Sequence, residues 1–88
     1  MSTLARDQIF SVLKEELLAM DKPEAAARMS EAAHFKHDMG LDSLDIVEFV
    51  ARAELHYRVH VKDEDFSALD RVGKVIDYVL ERVPETNA

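Results

Sequence analysis

The chain has 88 residues, a net charge of −7 and no cysteine. A chain of this length buries too little surface to support two hydrophobic cores, so we expect one domain over residues 1–88. Its ordered core should run from about residue 3 to 83, with a frayed tail over 84–88. The negative charge argues against a nucleic-acid partner, which needs clustered Lys and Arg. The absence of cysteine excludes disulfides and thiolate metal sites.

The acidity is concentrated in one region of the sequence. Residues 38–70 contain nine acids and three bases, a local net charge of −6. Such a region is either a solvated surface that keeps the protein soluble or a contact surface for a basic partner. The N-terminus lacks the apolar stretch of a signal peptide, and no run approaches the roughly 18 apolar residues that cross a bilayer. We therefore expect a cytoplasmic monomer without a membrane partner.

The first predicted element is an amphipathic helix from about Thr3 to Met20. Its apolar residues recur at helical spacing: Ile9, Phe10, Leu13, Leu17 and Met20. From residue 21 to 41 this periodicity weakens, although an Ala-rich stretch is long enough for a short helical turn. A connection this long needs its own apolar anchors, and Met29 and Phe35 are the candidates.

Three further helices are predicted in the second half of the chain. The second begins with Asp42 as its cap and ends near Tyr57, and a linker over 59–61 follows it. Asp63 should cap a short helix to about Leu69, and Asp70 should cap the last helix, which ends before Pro84. The apolar stripe of that last helix is Val72, Val75, Ile76, Val79, Leu80 and Val83. The sequence therefore predicts an all-α four-helix bundle, with three longer helices, one short helix and a long first loop.

The second helix is apolar on two opposite faces. One face carries Ile46, Phe49, Val50, Ala53 and Tyr57; the other carries Leu44, Val47, Ala51 and Leu55. Asp45 and Glu48 flank the second face on one side, and Glu54 flanks it on the other. One face must be core. The other is either buried as well or exposed as an acid-edged strip for docking.

Ser43 stands at the start of this helix, where a serine usually caps the free N–H groups. Asp42 is able to cap the helix by itself, which leaves the hydroxyl of Ser43 at an electropositive helix end that suits a phosphate ester. Gly40 permits the tight turn that presents this hydroxyl outward.

The histidines offer the main enzymatic alternative. His34 and His37 fall in the predicted loop, while His56 and His60 straddle a helix end. The spacing of the histidines fits no zinc-binding motif, and the spacing of the acids fits no EF-hand loop. Ser43 does not lie in the Gly-x-Ser-x-Gly motif of a hydrolase nucleophile. We expect no metal site and no catalytic residue.

The segment around Ser43 resembles the attachment site of the acyl carrier proteins. In that family the site reads Gly-x-Asp-Ser-Leu and opens the second helix of a four-helix bundle. The similarity extends over nearly the whole chain. It includes Phe35, Asp38-Met39-Gly40, Asp42-Ser43-Leu44, Asp45-Ile46-Val47-Glu48, Asp63-Glu64-Asp65 and Ile76-Asp77-Tyr78.

The resemblance implies a carrier without catalysis of its own, which holds acyl intermediates as thioesters on a 4'-phosphopantetheine arm. Ser43 would take this arm from coenzyme A, with Asp42 and Leu44 beside it. Partner enzymes would contact Asp45, Val47, Glu48, Ala51 and Glu54. Those partners would be a phosphopantetheinyl transferase and acyl-loading, ketosynthase-type and acyltransferase-type enzymes with basic docking surfaces, in fatty acid, polyketide or specialised lipid biosynthesis.

The end of the second helix departs from the family. Where housekeeping fatty-acid carriers are acidic, this chain has Arg52, Leu55, His56, Arg58 and His60. That difference suggests specialised partners, in a dedicated polyketide or unusual-lipid pathway or in a second lipid system. A peptidyl or D-alanyl carrier of the same fold and an unmodified helical adaptor remain as alternatives.

Overall fold

The computed structural model describes residues 5–82 and consists of helices around one hydrophobic core. The helices are α1 (Arg6–Ala19), α2 (Pro23–Ala27), α3 (Ser43–Tyr57), α4 (Asp63–Phe66) and α5 (Val72–Arg82). Within this range there is no β-strand, and the predicted all-α bundle with a long first loop is confirmed. The predicted limits at Thr3 and Val83 and the tail over 84–88 lie outside the described residues.

The first helix forms because one face of it can be buried. Ile9, Leu13 and Leu17 are completely buried, as their spacing predicts. The Ala-rich stretch forms α2, which has Pro23 at its first position, where the missing N–H costs nothing. Ala25 and Ala26 of α2 are buried in the core.

The connection between α2 and α3 is fixed by Phe35. Its ring is completely buried and lies edge-on to Phe49, with ring centroids 5.4 Å apart. Its backbone N–H donates to the carbonyl of Asp70 over 3.0 Å, and the neighbouring His34 forms an isolated antiparallel bridge with Arg71. Met29, the other expected anchor, is only partly buried.

A close backbone contact links the same loop to α5. The N–H of Gly73 donates to the carbonyl of Glu31 over 2.8 Å. A Cβ on Gly73 would lie 3.0 Å from that oxygen, so the glycine allows the loop to approach the helix. The carboxylate of Glu31 is held in turn by Arg6 at 2.6 Å.

Two predicted caps are wrong. Asp63 is the first residue of α4, Lys62 stands at its cap position without a side-chain bond, and the helix ends at Phe66 instead of Leu69. Asp70 does not cap α5, because the bridge to the loop holds residues 70 and 71 against His34 and Phe35. The helix therefore begins at Val72, and the carbonyl of Arg71 accepts its first backbone bonds, from Lys74 and Val75.

Candidate functional site

Ser43 is the first residue of α3, and the cap before it is complete without its side chain. Asp42 Oδ1 accepts the N–H of Asp45 over 2.8 Å, and Asp45 Oδ2 accepts the N–H of Asp42 over 3.2 Å. This reciprocal pair satisfies the helix start from both sides. Ser43 is exposed, and its hydroxyl forms no hydrogen bond with residues 5–82. The expectation that Asp42 caps the helix without the help of Ser43 is confirmed.

The turn before α3 depends on Gly40. Gly40 adopts φ +77°, a left-handed conformation that side chains with a Cβ rarely adopt. Its N–H donates to the carbonyl of Lys36, and the N–H of Leu41 donates to the carbonyl of Phe35. Leu41 is buried. The core therefore anchors both sides of the turn that delivers Ser43 to the surface.

Asp45 is held in its ionised form. The backbone N–H of Asp42 lowers the pKa of Asp45 more than burial raises it, and the ammonium of Lys22, 3.2 Å away, lowers it further. Lys22 lies just before α2, so this ion pair joins the start of α3 to the first loop. Sequence reasoning missed Lys22, because nothing in the local pattern brings residues 22 and 45 together.

The two apolar faces of α3 have different surroundings. Ile46, Phe49, Val50 and Ala53 are buried, while Tyr57 is partly buried. On the opposite face, Leu44 is 79% exposed, Val47 51% and Leu55 81%, and Ala51 is also exposed. The prediction of one core face and one exposed strip is confirmed, and burial of both faces is excluded. We call Leu44, Val47, Ala51 and Leu55 the α3 strip.

The acids beside the α3 strip have different hydrogen-bond and ion-pair partners. Glu48 pairs with Arg52 at 3.2 Å, and the same arginine also reaches Glu16 at 3.2 Å. Glu54 turns inward, where its carboxylate accepts the N–H of Val61 over 2.6 Å and fixes the linker after α3. Each of the three acids beside the strip therefore has a partner in the described residues: Lys22 for Asp45, Arg52 for Glu48 and the backbone of Val61 for Glu54.

A groove of about 420 Å³ opens beside Ser43. Ile46 and Val47 of α3 line it, together with Phe66, Ser67 and Leu69. Its polar lining residues include His34, Lys36 and Asp70. An exposed hydroxyl at a helix start, next to a groove with apolar walls, suits an ester-linked arm that alternates between solvent and protein.

The described residues give no support to the enzymatic alternatives. Across residues 5–82, no three His, Asp or Glu side chains converge as a metal site would require. The four histidines lie apart from one another except for His34 and His37, whose ring centroids are 4.2 Å apart. None of the helices in this range is long and apolar enough to cross a membrane.

Comparison with known proteins agrees with this geometry. The family model described as the phosphopantetheine attachment site matches residues 11–79. An acyl carrier protein of Thermotoga maritima is 32% identical over 82 residues, which cover 90% of this chain and 96% of the relative. The chain belongs to the acyl carrier protein family.

Two further relatives in this family come from fungi. The mitochondrial acyl carrier protein of Neurospora crassa is 36% identical over 84 residues, covering 96% of this chain and 62% of the relative. The mitochondrial acyl carrier protein of Saccharomyces cerevisiae is 30% identical over 89 residues, covering 98% of this chain and 70% of the relative. The chain thus spans about three fifths of the Neurospora protein.

The expected cytoplasmic location is contradicted by the two fungal relatives, which are named as mitochondrial proteins. That expectation rested on the lack of a secretory signal, a feature that cannot distinguish cytoplasm from mitochondrion.

Family membership defines the chemistry in general terms. Acyl carrier proteins hold acyl groups on 4'-phosphopantetheine, interact with a phosphopantetheinyl transferase and acyl-processing enzymes, and have no catalytic activity of their own. The site around Ser43 fits this prosthetic group, because its hydroxyl is exposed and unbonded and the groove beside it is open.

Proposed function

We propose that this protein carries acyl intermediates as thioesters on a 4'-phosphopantetheine arm attached to Ser43. The observation that supports Ser43 is the reciprocal bonding of Asp42 and Asp45, which completes the helix cap and leaves the hydroxyl without a structural task. In the attachment step the Ser43 oxygen forms a bond to the phosphorus that carries the pantetheine. The pyrophosphate bond of coenzyme A breaks, adenosine 3',5'-bisphosphate leaves with the electron pair, and the transferase takes the hydroxyl proton.

The residues next to Ser43 suit contact with the transferase. Asp42 is exposed at the turn, and Leu44 is the most N-terminal residue of the α3 strip. Both are exposed neighbours of Ser43 in the chain. We therefore propose that Asp42 and Leu44 form the transferase contact nearest to the modified hydroxyl.

The α3 strip is the proposed docking surface for the enzymes that load and process the cargo. Its exposed leucines and valine supply apolar area, and Glu48 and the ion-paired Asp45 place negative charge along one edge. Enzymes of the ketosynthase and acyltransferase types with basic surfaces around an apolar patch would complement it. Ala51 leaves room for a partner side chain, and Glu54, which also fixes the linker, is the proposed acidic contact on the other edge.

Mass spectrometry of the protein purified from its native host tests the proposed function. A carrier should be found with phosphopantetheine on the peptide that contains Ser43, and part of it should bear a thioester-linked acyl group. The identity of that acyl group would separate fatty acid from polyketide or other specialised biosynthesis. An aminoacyl thioester would indicate a peptidyl or D-alanyl carrier, and an unmodified chain would indicate an adaptor.

A further inference from the structure

The side chain of His34 has a fixed proton position. Its Nδ1 accepts the backbone N–H groups of Lys36 and His37 over 3.1 and 3.2 Å. A nitrogen that accepts hydrogen bonds carries no proton, so the proton of the neutral ring lies on Nε2. The side chain is only 17% exposed. His34, which lines the groove beside Ser43, therefore presents an oriented N–H donor.

An acceptor stands opposite this donor. Asp70 Oδ2 lies 3.9 Å from His34 Nε2, which is too far for a direct hydrogen bond. The backbone fixes the spacing, because residue 34 bridges residue 71 and the N–H of Phe35 donates to the carbonyl of Asp70. The other carboxylate oxygen of Asp70 faces the ammonium of Lys74 at 3.4 Å. Asp70 Oδ1 is buried and forms no hydrogen bond within the described residues. Asp70 Oδ2 is the oxygen that faces His34.

The gap between these groups matches the hydrogen-bonding capacity of a hydroxyl. One hydroxyl oxygen can accept from Nε2–H and donate its own proton to a carboxylate, with both distances near 2.8 Å. A carbonyl oxygen can accept a hydrogen bond but has no proton to donate. An amide accepts with its oxygen and donates with its nitrogen, so it needs two separate atoms for the two bonds. We propose that His34 and Asp70 form a hydroxyl-binding site on the wall of the groove, which recognises a hydroxyl of the group carried by Ser43.

This inference rests on the proposed function, and two hydroxyls have the required chemistry. One belongs to the pantoyl part of the arm itself. The other is the 3-hydroxyl of a hydroxyacyl cargo. Both are joined to Ser43 through the same phosphodiester, and both can enter a groove that Ser43 and the two side chains line together.

Nuclear magnetic resonance of the ¹⁵N-histidine-labelled protein tests the site. Four forms are compared: unmodified, phosphopantetheinylated, octanoylated and 3-hydroxyoctanoylated, the loaded forms being made by transfer from the coenzyme A compounds. A shift of the His34 Nε2–H signal on phosphopantetheinylation would assign the arm hydroxyl. A shift confined to the 3-hydroxyoctanoyl form would assign the cargo hydroxyl. An unchanged signal in all three modified forms would overturn the proposal, since the pair would then hold water alone.

A matched pair of variants separates recognition from loop structure. His34→Asn keeps an acceptor for the N–H groups of Lys36 and His37 but loses the distal donor, while His37→Asn makes the same change outside the groove. In the form that shifts the imidazole, the hydrogen bond from His34 to the hydroxyl should by itself raise the melting temperature by about 4 °C. His34→Asn should lose this increment and His37→Asn should retain it. Retention in both would also contradict the site, whereas failure of Ser43 to accept phosphopantetheine would contradict the proposed function instead.

Discussion

At the scale of single residues, Asp45 connects three parts of the molecule. Its carboxylate accepts the N–H of Asp42 and pairs with Lys22. These partners stabilise the ionised form of Asp45, so its pKa in the folded protein lies below its ordinary value. The ionisation of Asp45 therefore stabilises the start of α3, where Ser43 lies.

The depressed pKa of Asp45 predicts a pH-dependent contribution to stability. A carboxylate with a lowered folded-state pKa stabilises the protein fully above its unfolded pKa of about 3.9, and the contribution is lost as the pH falls below that value. Asp45→Asn should therefore lower the free energy of unfolding by about 1 kcal/mol at pH 5 to 7, and the difference should narrow below about pH 4. Urea unfolding at several pH values measures this. Asp63→Asn, at an exposed acid of α4, is the control, and a pH-independent deficit in Asp45→Asn would contradict the assignment.

The residues of the site differ in how far the sequence predicts them. Local chemistry is enough for Asp42, Ser43 and Gly40, because a cap, an adjacent hydroxyl and a turn glycine depend on neighbours within a few positions. Glu54 and Asp70 have roles that depend on distant or folded segments, the linker at Val61 for one and the loop bridge for the other. Sequence spacing carries no information about such contacts, so it predicts a cap at Asp70 that the structure does not form and misses the bond from Val61 to Glu54. The partner contact of Glu54 stays a prediction.

At the scale of elements, α3 supports both the core and the docking surface. The spacing of apolar residues along α3 identifies two apolar faces. It does not show which other parts of the chain cover each face. Contacts with α1 and with the loop residue Phe35 bury the face of Phe49. The face of Val47 keeps its exposure because none of the other helices in the described range covers it.

Substitutions on the two faces should have opposite consequences. Phe49→Ala should cost about 3–5 kcal/mol of unfolding free energy, since it opens a cavity beside Phe35. Val47→Asp should change stability by less than about 1 kcal/mol but slow modification by a transferase, because it places a charge in the apolar contact. Val50→Asp is the matched control, as it introduces the same carboxylate on the buried face and should prevent folding.

Urea unfolding and the initial rate of phosphopantetheinylation are the two measurements for these variants. If Val47→Asp destabilises the protein as much as Phe49→Ala, the strip is part of the core. If Val47→Asp is stable and modified at the rate of the unaltered protein, the strip does not contact the transferase.

At the scale of the whole molecule, a small space lined by side chains of α3 and α5 bears on where cargo can be held. Val50, Ala53, Val75 and Val79 are among the nine residues that line a partly open space with about 10 Å³ of free volume, roughly that of one water molecule. Slim aliphatic side chains line it, so a small separation of these helices would admit an acyl chain. The helical spacing of Val72, Val75, Ile76 and Val79 in α5 predicts such a wall, but the size of the space depends on how the helices pack.

Acylation should therefore stabilise the protein in proportion to chain length. Each methylene that leaves water contributes up to about 0.8 kcal/mol, offset in part by the work of separating the helices. The melting temperature should rise from the phosphopantetheine form through butanoyl and hexanoyl to octanoyl, as measured by calorimetry. A series without any rise would show that the cargo remains outside the bundle.

The central claim is that Ser43 carries the prosthetic arm, and not Ser67, the other serine that lines the groove beside it. Its most direct test is the intact mass of the protein after incubation with coenzyme A and a broad-specificity phosphopantetheinyl transferase. The unaltered chain and Ser67→Ala, changed at the other serine that lines the groove, should each gain one phosphopantetheine, and Ser43→Ala should gain none. An adduct that persists in Ser43→Ala, or no adduct on the unaltered chain, would contradict the account.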